Sequence, residues 1–312
     1  MKKEEAPRAG HRLLDTQSSF LILGPTAVGK SDIAAAVAER CDGEVVSADA
    51  FQVNGGLDLL TAKPTAEVRA RVRHHLVGEI ALTRSWDVAQ WLDAARSRIG
   101  EIHARGRVAI VAGGTGLYIR ALTRGLADLP PASPELRAEL EAEPLNELTR
   151  RLAELDPEGA GRIDLKNPRR VIRALEVCLL TQRPFSSFRE QWETTPHGWR
   201  GIVLMRDRED LYARIDRRTE EMFAAGVIEE VRDVGEIGPT ASQTLGLREI
   251  RAHLAGELSR GECIAAIQQA TRHYARRQLT WFRRETAFRN VNLSSFDHTS
   301  LADEISREVR AN

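Results

Sequence analysis

The chain has 312 residues, of which 42% are hydrophobic, and its 45 lysines and arginines balance its 45 aspartates and glutamates. This composition excludes a disordered chain, and no apolar run approaches the roughly 20 residues that a membrane span needs. The length suits two domains, or one domain with an insertion, and the charge balance excludes a uniformly basic nucleic-acid binder but not local basic faces.

The cysteines and the N-terminal segment indicate a reducing compartment. Cys41, Cys178 and Cys263 lie far apart and form no CxxC pair, and an odd number of isolated cysteines does not suit a disulfide framework. Residues 1–18 are charged and polar, without the apolar core of a signal peptide, and are predicted to form a loose tail. We therefore expect a cytoplasmic protein.

Residues 19–129 alternate short apolar runs with helical patterns. The predicted strands lie at 20–23, 44–47 and 107–111. The predicted helices between them lie at 31–40 and 88–102. Continuous apolar strands separated by helices are typical of an α/β fold with a parallel sheet flanked by helices. Ligands of such sheets bind beyond the carboxyl ends of the strands.

The pattern changes at Pro130, which begins a Pro-Pro interruption. Ser133 is predicted to cap a helix, and helical leucine spacing continues to Leu155. A further helix is predicted from Asn167 to near Gln182. Residues 130–195 are therefore predicted to form an all-helical inserted domain.

After the insertion the chain is predicted to return to the sheet. Residues 199–205 predict a strand, and the sequence from 211 is mostly helical. We expect 19–129 and 196–290 to form one core with a helical C-terminal extension, and 291–312 to form a C-terminal tail or helix.

A phosphate-binding loop follows the first predicted strand and opens the first predicted helix. Its sequence matches GxxxxGK[ST] and comprises Gly24, Pro25, Thr26, Ala27, Val28, Gly29, Lys30 and Ser31. Glycines let backbone N–H groups curl around phosphate oxygens, and the helix N-terminus adds a partial positive charge. Lys30 would neutralise phosphate charge, and the Ser31 hydroxyl would bind Mg²⁺. The core is thus predicted to resemble that of P-loop NTPases.

An acid that most P-loop nucleoside triphosphatases use for magnesium is missing from its usual place. The strand at 107–111 leads into Gly113 and Gly114, with no carboxylate after it. Asp49, after the second strand, is the nearest well-placed acid. This weakens an ordinary ATPase interpretation and makes Asp49 a candidate base in front of the phosphate.

Further motifs, taken in order, resemble the bacterial tRNA dimethylallyltransferase (isopentenyl-tRNA transferase) family from Gly24 to about Arg284. Beside the phosphate loop they are Ser47-Ala-Asp49, Thr61-Ala-Lys-Pro64, His74-His75-Leu76, Gly113-Gly-Thr-Gly-Leu-Tyr-Ile119, Arg170-Val-Ile-Arg-Ala-Leu-Glu176 and Ala270-Thr-Arg-His-Tyr-Ala-Arg-Arg-Gln-Leu-Thr-Trp281. The phosphate loop alone is generic, whereas the ordered set is specific.

The resemblance implies transfer of a dimethylallyl group from dimethylallyl diphosphate to the N6 amine of adenosine 37 in the tRNA anticodon loop. It implies that Asp49 is the general base, that Thr115 contacts the adenine and the reaction centre, and that Arg137 lies near the diphosphate and the tRNA. Gln52 corresponds to a residue that holds the flipped-out base, within the segment Ala50, Phe51 and Gln52. Mg²⁺ is the expected cofactor, and a monomer is expected.

Two arginine-bearing helices are candidates for tRNA binding. Arg169, Arg170 and Arg173 share one side of the helix after Pro168, and Arg272, Arg276 and Arg283 recur at spacings of four and seven on a later helix. The planar guanidinium fork suits phosphate oxygens. Each stripe alone is more typical of a solvated helix face, whereas the family motifs favour RNA binding.

The sequence also departs from the family pattern Asp-Ser-x-Gln-Val-Tyr. Ala50 replaces the serine and Asn54 replaces the tyrosine. Three alternatives therefore stay open: a P-loop small-molecule kinase, a prenyltransferase acting on free adenine nucleotides, and a tRNA binder without activity.

Overall fold

The computed structural model describes residues 16–192 and 198–311. Side chains are described for all of these residues except 189–192. Most of the predicted tail over 1–18 lies outside these residues. The described chain divides into two compact units. The first comprises the described residues up to 123 and from 198 onward, and the second begins at Arg124 and includes the described residues to 192. The second unit thus starts six residues before the expected insertion.

A single parallel sheet forms the centre of the first unit. Its strands are β1 (Ser19–Leu23), β2 (Gly43–Ala48), β3 (His74–His75), β4 (Val108–Gly113), β5 (Arg200–Met205) and β6 (Arg289–Asn292). They lie in the order β3-β2-β4-β1-β5-β6. The predicted parallel sheet and four of its strands are confirmed, because these strands are buried apolar runs.

The sequence did not predict β6, which lies in a segment expected to be helical or a tail. It pairs in parallel with β5, with Leu204 opposite Val291, and Val291 is its buried residue. Three of its four residues are polar, so periodicity gave no strand pattern. The C-terminal segment is therefore part of the sheet layer.

Helices cover the sheet of the first unit. They are α1 (Lys30–Arg40), α2 (Ala66–Arg71), α3 (Val88–Ala104), α4 (Gly116–Arg124), α9 (Arg208–Ala224), α10 (Val227–Asp233), α11 (Leu247–Leu254), α12 (Arg260–Phe282) and α13 (His298–Arg310). A 3-10 helix covers Ala241–Gln243. In α3, the Asp87 carboxylate accepts the Gln90 N–H and the Gln90 side chain accepts the Asp87 N–H, a capping box that fixes the start.

The second unit contains helices and no strand among its described residues. They are α5 (Pro134–Glu141), α6 (Leu145–Leu155), α7 (Pro157–Ala160), α8 (Pro168–Thr181) and a 3-10 helix over Phe185–Trp192. Ser133 caps α5 by accepting the Leu136 N–H. The helix expected to run from 133 to 155 is interrupted at Pro144, which caps α6, because proline lacks the N–H that an uninterrupted helix would need.

No helix in the described parts of the chain is long and apolar enough to cross a membrane.

Candidate functional site

The phosphate loop curls between β1 and α1 through residues with positive φ. Gly24 and Gly29 have φ angles of 148° and 109°, and Ala27 has 63°. A Cβ on Gly24 would lie 2.5 Å from the Leu204 carbonyl oxygen, so glycine is required there by space as well as by conformation.

Lys30 lies half-buried at the end of this loop. Its Nζ donates to the Pro25 carbonyl oxygen at 2.7 Å. Burial lowers the pKa of Lys30 to about 8, with Asp49 raising it and Arg218 lowering it further. Below this pKa the ammonium is mostly protonated, and an incoming anion would stabilise its charged form.

Two arginines of α9 support the loop and were not predicted as site residues. Arg214 Nε donates to the Ala27 carbonyl oxygen at 2.9 Å, and Arg218 Nη2 donates to Thr26 Oγ1 at 3.0 Å. Burial lowers the pKa of both guanidinium groups, and neighbouring arginines add to the effect. Their spacing of four residues on one helix face was the available sequence signal.

One cleft joins the phosphate loop to the end of β2 and has a volume of about 260 Å³. Its charged and hydroxyl-bearing lining includes Thr26, Lys30, Ser31, Asp32, Asp49, Lys63, Arg214 and Arg218. Cationic groups outnumber carboxylates here, so the cleft suits a polyanion such as a diphosphate.

Asp49 sits in a tight turn immediately after β2. Its Oδ1 accepts the Phe51 N–H at 2.9 Å and the Gln52 N–H at 3.3 Å. Asn54, which replaces the family tyrosine, is fully buried and donates to the Phe51 carbonyl oxygen at 3.4 Å. The turn thus fixes the carboxylate beside the cationic cleft.

Thr115 reaches the same turn from the end of β4. Its N–H donates to the Ala48 carbonyl oxygen at 3.2 Å, and its Oγ1 accepts the Ala50 N–H at 3.0 Å. Tyr274 of α12 is hydrogen-bonded to Thr115, while burial and the charge of Asp49 raise the pKa of the phenol. Asp49 and Thr115, far apart in sequence, are thereby brought together.

Gln52 is held by its own neighbourhood. Its Oε1 accepts from Ser47 Oγ at 3.3 Å, and its Nε2 donates to the Ala62 carbonyl oxygen at 3.1 Å. The ring of Phe51 tilts against that of Tyr274, with centroids 5.9 Å apart. The segment Ala50, Phe51 and Gln52 therefore forms an ordered wall.

A second, smaller cavity has a mixed lining, in which Asp49 and Arg218 stand beside hydrophobic residues. Phe51, Leu60, Met222, Leu245, Ile267 and Tyr274 line it. Three threonines in its wall, Thr61, Thr219 and Thr271, donate their hydroxyls to the carbonyl oxygens four residues earlier. The Thr244 hydroxyl in the same wall has no hydrogen-bond partner among the described residues. The cavity therefore suits a group that has an apolar face and a polar edge, such as a base.

The arginines predicted for tRNA differ in their surroundings. In the first unit, Arg272 is paired with Asp216, whereas Arg276 is exposed and lines a cavity with Arg208 and Arg283. The Arg272 guanidinium is held by an ion pair, whereas Arg276 is hydrogen-bonded to the Tyr212 phenol and remains exposed.

The arginines of the second unit divide in the same way. Arg137 Nη2 and Arg173 Nη1 donate to Glu176 Oε2 at 2.9 and 2.7 Å, and Arg173 Nη2 also donates to the Pro130 carbonyl oxygen. Arg169 and Arg170 are exposed. Glu176 is fully buried and binds both cations, so Arg137 and Arg173 contribute to the structure of this unit.

No group of three histidine, cysteine, aspartate or glutamate side chains in the described residues is placed to hold a metal ion alone. The cleft nevertheless offers the Ser31 hydroxyl and the carboxylates of Asp32 and Asp49. Oxygen donors in small number suit Mg²⁺, which binds substrate phosphates and keeps several waters. The donor set therefore fits a magnesium ion delivered with a diphosphate.

A parallel sheet with a glycine-rich loop and a facing carboxylate at its carboxyl edge is typical of α/β proteins that bind phosphate groups. Comparison with known proteins identifies the family within this class. The profile of the IPP transferase family matches residues 52–285. A tRNA dimethylallyltransferase of Akkermansia muciniphila is 41% identical over 93% of this chain and 99% of its own length, and one of Caulobacter sp. is 44% identical over 85% and 89%.

Solved structures of tRNA isopentenylpyrophosphate transferase and dimethylallyltransferase also match this chain. The tRNA isopentenylpyrophosphate transferase of Bacillus halodurans superposes with a TM-score of 0.68 at 34% identity, over 94% of this chain and 95% of its own. A eukaryotic dimethylallyltransferase has a TM-score of 0.78 over 92% of this chain and 77% of its own, and at 24% identity it supports the fold alone. The chain belongs to the IPP transferase family, and it is therefore a prenyltransferase.

Proposed function

We propose that this protein transfers the dimethylallyl group of dimethylallyl diphosphate to the N6 amine of adenosine 37 in tRNA, releasing diphosphate. The observation that carries the proposal is the placement of Asp49 in the cleft of the phosphate loop. A base beside a diphosphate cradle suits transfer to an amine that must lose a proton. The names of the relatives, tRNA dimethylallyltransferases, support tRNA as acceptor.

In the proposed reaction, the N6–carbon bond forms as the bond between carbon and the diphosphate oxygen breaks. The N6 proton passes to Asp49, and the electron pair of the broken bond leaves with the diphosphate. General-base assistance contributes about 10²- to 10⁴-fold. Lys30, Arg214 and Arg218 line the cleft and would stabilise the leaving group, and such preorganised charges are usually the larger contribution.

Mg²⁺ is the proposed cofactor, with Ser31 as its protein ligand. When bound, it would neutralise charge on the diphosphate oxygens. The residues of the phosphate loop, Gly24 to Ser31, would hold the diphosphate. Water must be kept from the allylic carbon, and the hydrophobic side chains in the wall of the cavity beside Asp49 support this.

For tRNA we propose contacts from two sets of residues. Ala50, Phe51, Gln52 and Thr115 would meet the extruded base next to Asp49, since a base must leave its stack before its amine can react. Arg137, Arg169, Arg170, Arg173, Arg272 and Arg276 would contact the RNA, with exposed Arg169, Arg170 and Arg276 open to phosphates. We propose that the protein works as a monomer in the cytoplasm.

The test incubates the purified protein with Mg²⁺, dimethylallyl diphosphate and unmodified tRNA carrying adenosines at positions 36 to 38. Mass spectrometry of the digested tRNA is expected to show N6-dimethylallyl adenosine. Asp49→Asn is expected to reduce turnover by about 10²- to 10⁴-fold while tRNA binding is retained. Unchanged turnover would remove Asp49 from the role of base.

Parallel reactions distinguish the alternatives. Free AMP as acceptor tests a prenyltransferase of nucleotides, and ATP as donor with a hydroxyl-bearing small molecule tests a kinase. The kinase interpretation lacks an acid at the end of β4, where Gly113 is followed by Gly114. Binding of tRNA without any product would indicate a tRNA binder.

A further inference from the structure

Gln278 of α12 bridges two loops at the carboxyl edge of the sheet. Its Oε1 accepts the Thr26 N–H at 2.8 Å, and its Nε2 donates to the Gly114 carbonyl oxygen at 2.9 Å. The residue is 6% exposed. Both ends of one buried amide are therefore used by two separate backbone segments, an arrangement with little freedom to move.

The two loops carry different parts of the site. Thr26 belongs to the phosphate loop after β1, whereas Gly114 immediately precedes Thr115 after β4. The strands are neighbours, with Leu23 opposite Gly113. The side chain of Gln278 thus spans the separation between the diphosphate cradle and the loop that carries Thr115.

The fit around the amide is close. A Cβ on Gly114 would lie 2.4 Å from Gln278 Nε2 and 2.8 Å from the Gly24 carbonyl oxygen. The hydroxyl of Thr26 is held from the other side by Arg218. The Thr26 N–H donates to Gln278. This hydrogen bond therefore stabilises the shape of the phosphate loop, and the Thr26 N–H is not available to bind a phosphate.

A path of hydrogen bonds and backbone links continues from Gln278 to the candidate base. Gly114 leads to Thr115, whose Oγ1 accepts the Ala50 N–H in the turn that holds Asp49. We infer that Gln278 is a positioning residue that sets the distance between the bound diphosphate and Asp49. This inference rests on the proposed function.

The physical reason lies in the geometry of group transfer. The attacking nitrogen, the allylic carbon and the base must be aligned to within fractions of an ångström, and a shift of about 1 Å can cost about 10²-fold in rate. Loss of the bridge would let the two loops relax separately. Diphosphate binding would survive, because Lys30, Arg214 and Arg218 remain.

The experiment compares variants of the full-length enzyme. Gln278→Met keeps the size of the side chain and removes both hydrogen bonds. Gln278→Glu keeps an acceptor for the Thr26 N–H and removes the donor to Gly114. Gln269→Met, at an exposed position of the same helix, is the matched control. Single-turnover rate with both substrates saturating, affinity for inorganic diphosphate by calorimetry, and melting temperature are measured for each.

Gln278→Met is expected to lower the single-turnover rate by about 10²-fold, with affinity for diphosphate changed less than threefold. The single-turnover rate of Gln278→Glu is expected to fall at least as far, because the carboxylate would face the Gly114 carbonyl oxygen. Gly114→Ala, which pushes the amide away, is expected to reproduce the loss of rate. Gln269→Met is expected to behave as the wild type.

A merely structural role predicts a different pattern. It would lower the melting temperature and the fraction of active molecules, while the rate per active molecule stays unchanged, and that result would overturn the inference. Equal losses of rate and of diphosphate affinity would also overturn it. Absence of product with the wild-type enzyme would overturn the proposed function as well, whereas an active wild type with unaffected variants overturns this inference alone.

Discussion

The Thr115 hydroxyl oxygen accepts the Ala50 N–H at 3.0 Å, which ties the loop after β4 to the turn after β2. The acceptor is a side chain, so a single substitution can remove it without touching the backbone of either loop. Thr115 therefore has a structural role in stabilising the turn that holds Asp49, in addition to any contact with the substrate.

Thr115→Val should separate the effect of this hydrogen bond from that of side-chain size, because valine has the same shape and cannot accept the Ala50 N–H. An unsatisfied buried donor costs about 1–3 kcal/mol, so we expect kcat to fall by at least tenfold as the Asp49 turn loosens. Thr115→Ser, which keeps the hydroxyl, should retain most activity. Steady-state kinetics measures both; equal activity of the valine and serine variants would contradict the role of this bond.

The sequence predicted the parts of this site that lie in strand-end loops. Gly24 to Ser31, Asp49 and Thr115 follow buried apolar runs, and the carboxyl ends of parallel strands meet at one edge. Their proximity follows from the topology alone, which periodicity revealed for β1, β2 and β4.

The α9 and α12 contributions could not be predicted in the same way. Arg214, Arg218 and Gln278 reach the phosphate loop from helices roughly 190 to 250 residues further along the chain. Helical periodicity identifies a buried face but not the surface against which that face packs. Likewise β6 was missed because its pairing with β5, rather than its own polar sequence, makes it a strand.

The ammonium of Lys30 makes diphosphate binding sensitive to pH. Its pKa in the free protein is about 8, lowered chiefly by burial, so the protonated form that attracts the anion is present below pH 8 and is lost above it. Affinity for a diphosphate ester is therefore expected to fall as the pH rises from 7 to 9.5. The ester itself is fully ionised over most of this range, since its terminal pKa is about 6.

Lys30→Arg is the control for this titration, because arginine stays protonated throughout the range. Its affinity is expected to be lower overall, since the longer side chain does not fit the loop, but independent of pH. Calorimetric titration with a non-reactive diphosphate analogue at several pH values measures both proteins. The same decline of affinity in Lys30→Arg would assign the pH dependence to another group.

Glu44 anchors a charge cluster at the opposite end of β2. Its buried carboxylate receives bonds from His75 at 2.6 Å and from Arg105 at 2.8 and 3.0 Å, and Arg107 lies within 3.4 Å. Burial alone would raise the pKa of Glu44, but the hydrogen bonds from Arg105 and His75 outweigh it and hold the pKa at about 2.

The sign of this shift sets the pH dependence of stability. A carboxyl whose folded pKa is below its ordinary value of 4.5 stabilises the fold fully above pH 4.5, and the stabilisation is lost as the pH falls toward 2. Glu44→Gln is expected to lower the free energy of unfolding by about 2–3 kcal/mol at pH 7, with the difference shrinking in acid. Urea unfolding at pH 7, 4.5 and 3 measures this, with exposed Glu220→Gln as control; a difference that is constant with pH would contradict it.

Arg170 and Arg173 lie on one helix, α8, but are expected to respond differently to substitution. Arg170 is exposed, whereas Arg173 bonds the buried Glu176 and the Pro130 carbonyl oxygen. Arg170→Ala should weaken tRNA binding and reduce the slope of log affinity against log salt by about 0.7–0.9, the value for one phosphate contact, with the melting temperature unchanged.

Arg173→Ala should lower the melting temperature, because it removes a partner of a buried carboxylate. Filter binding over a salt series and thermal melts on the same preparations separate the two effects. An unchanged salt slope in Arg170→Ala would assign that arginine to a solvated helix face and remove it from the proposed RNA contacts.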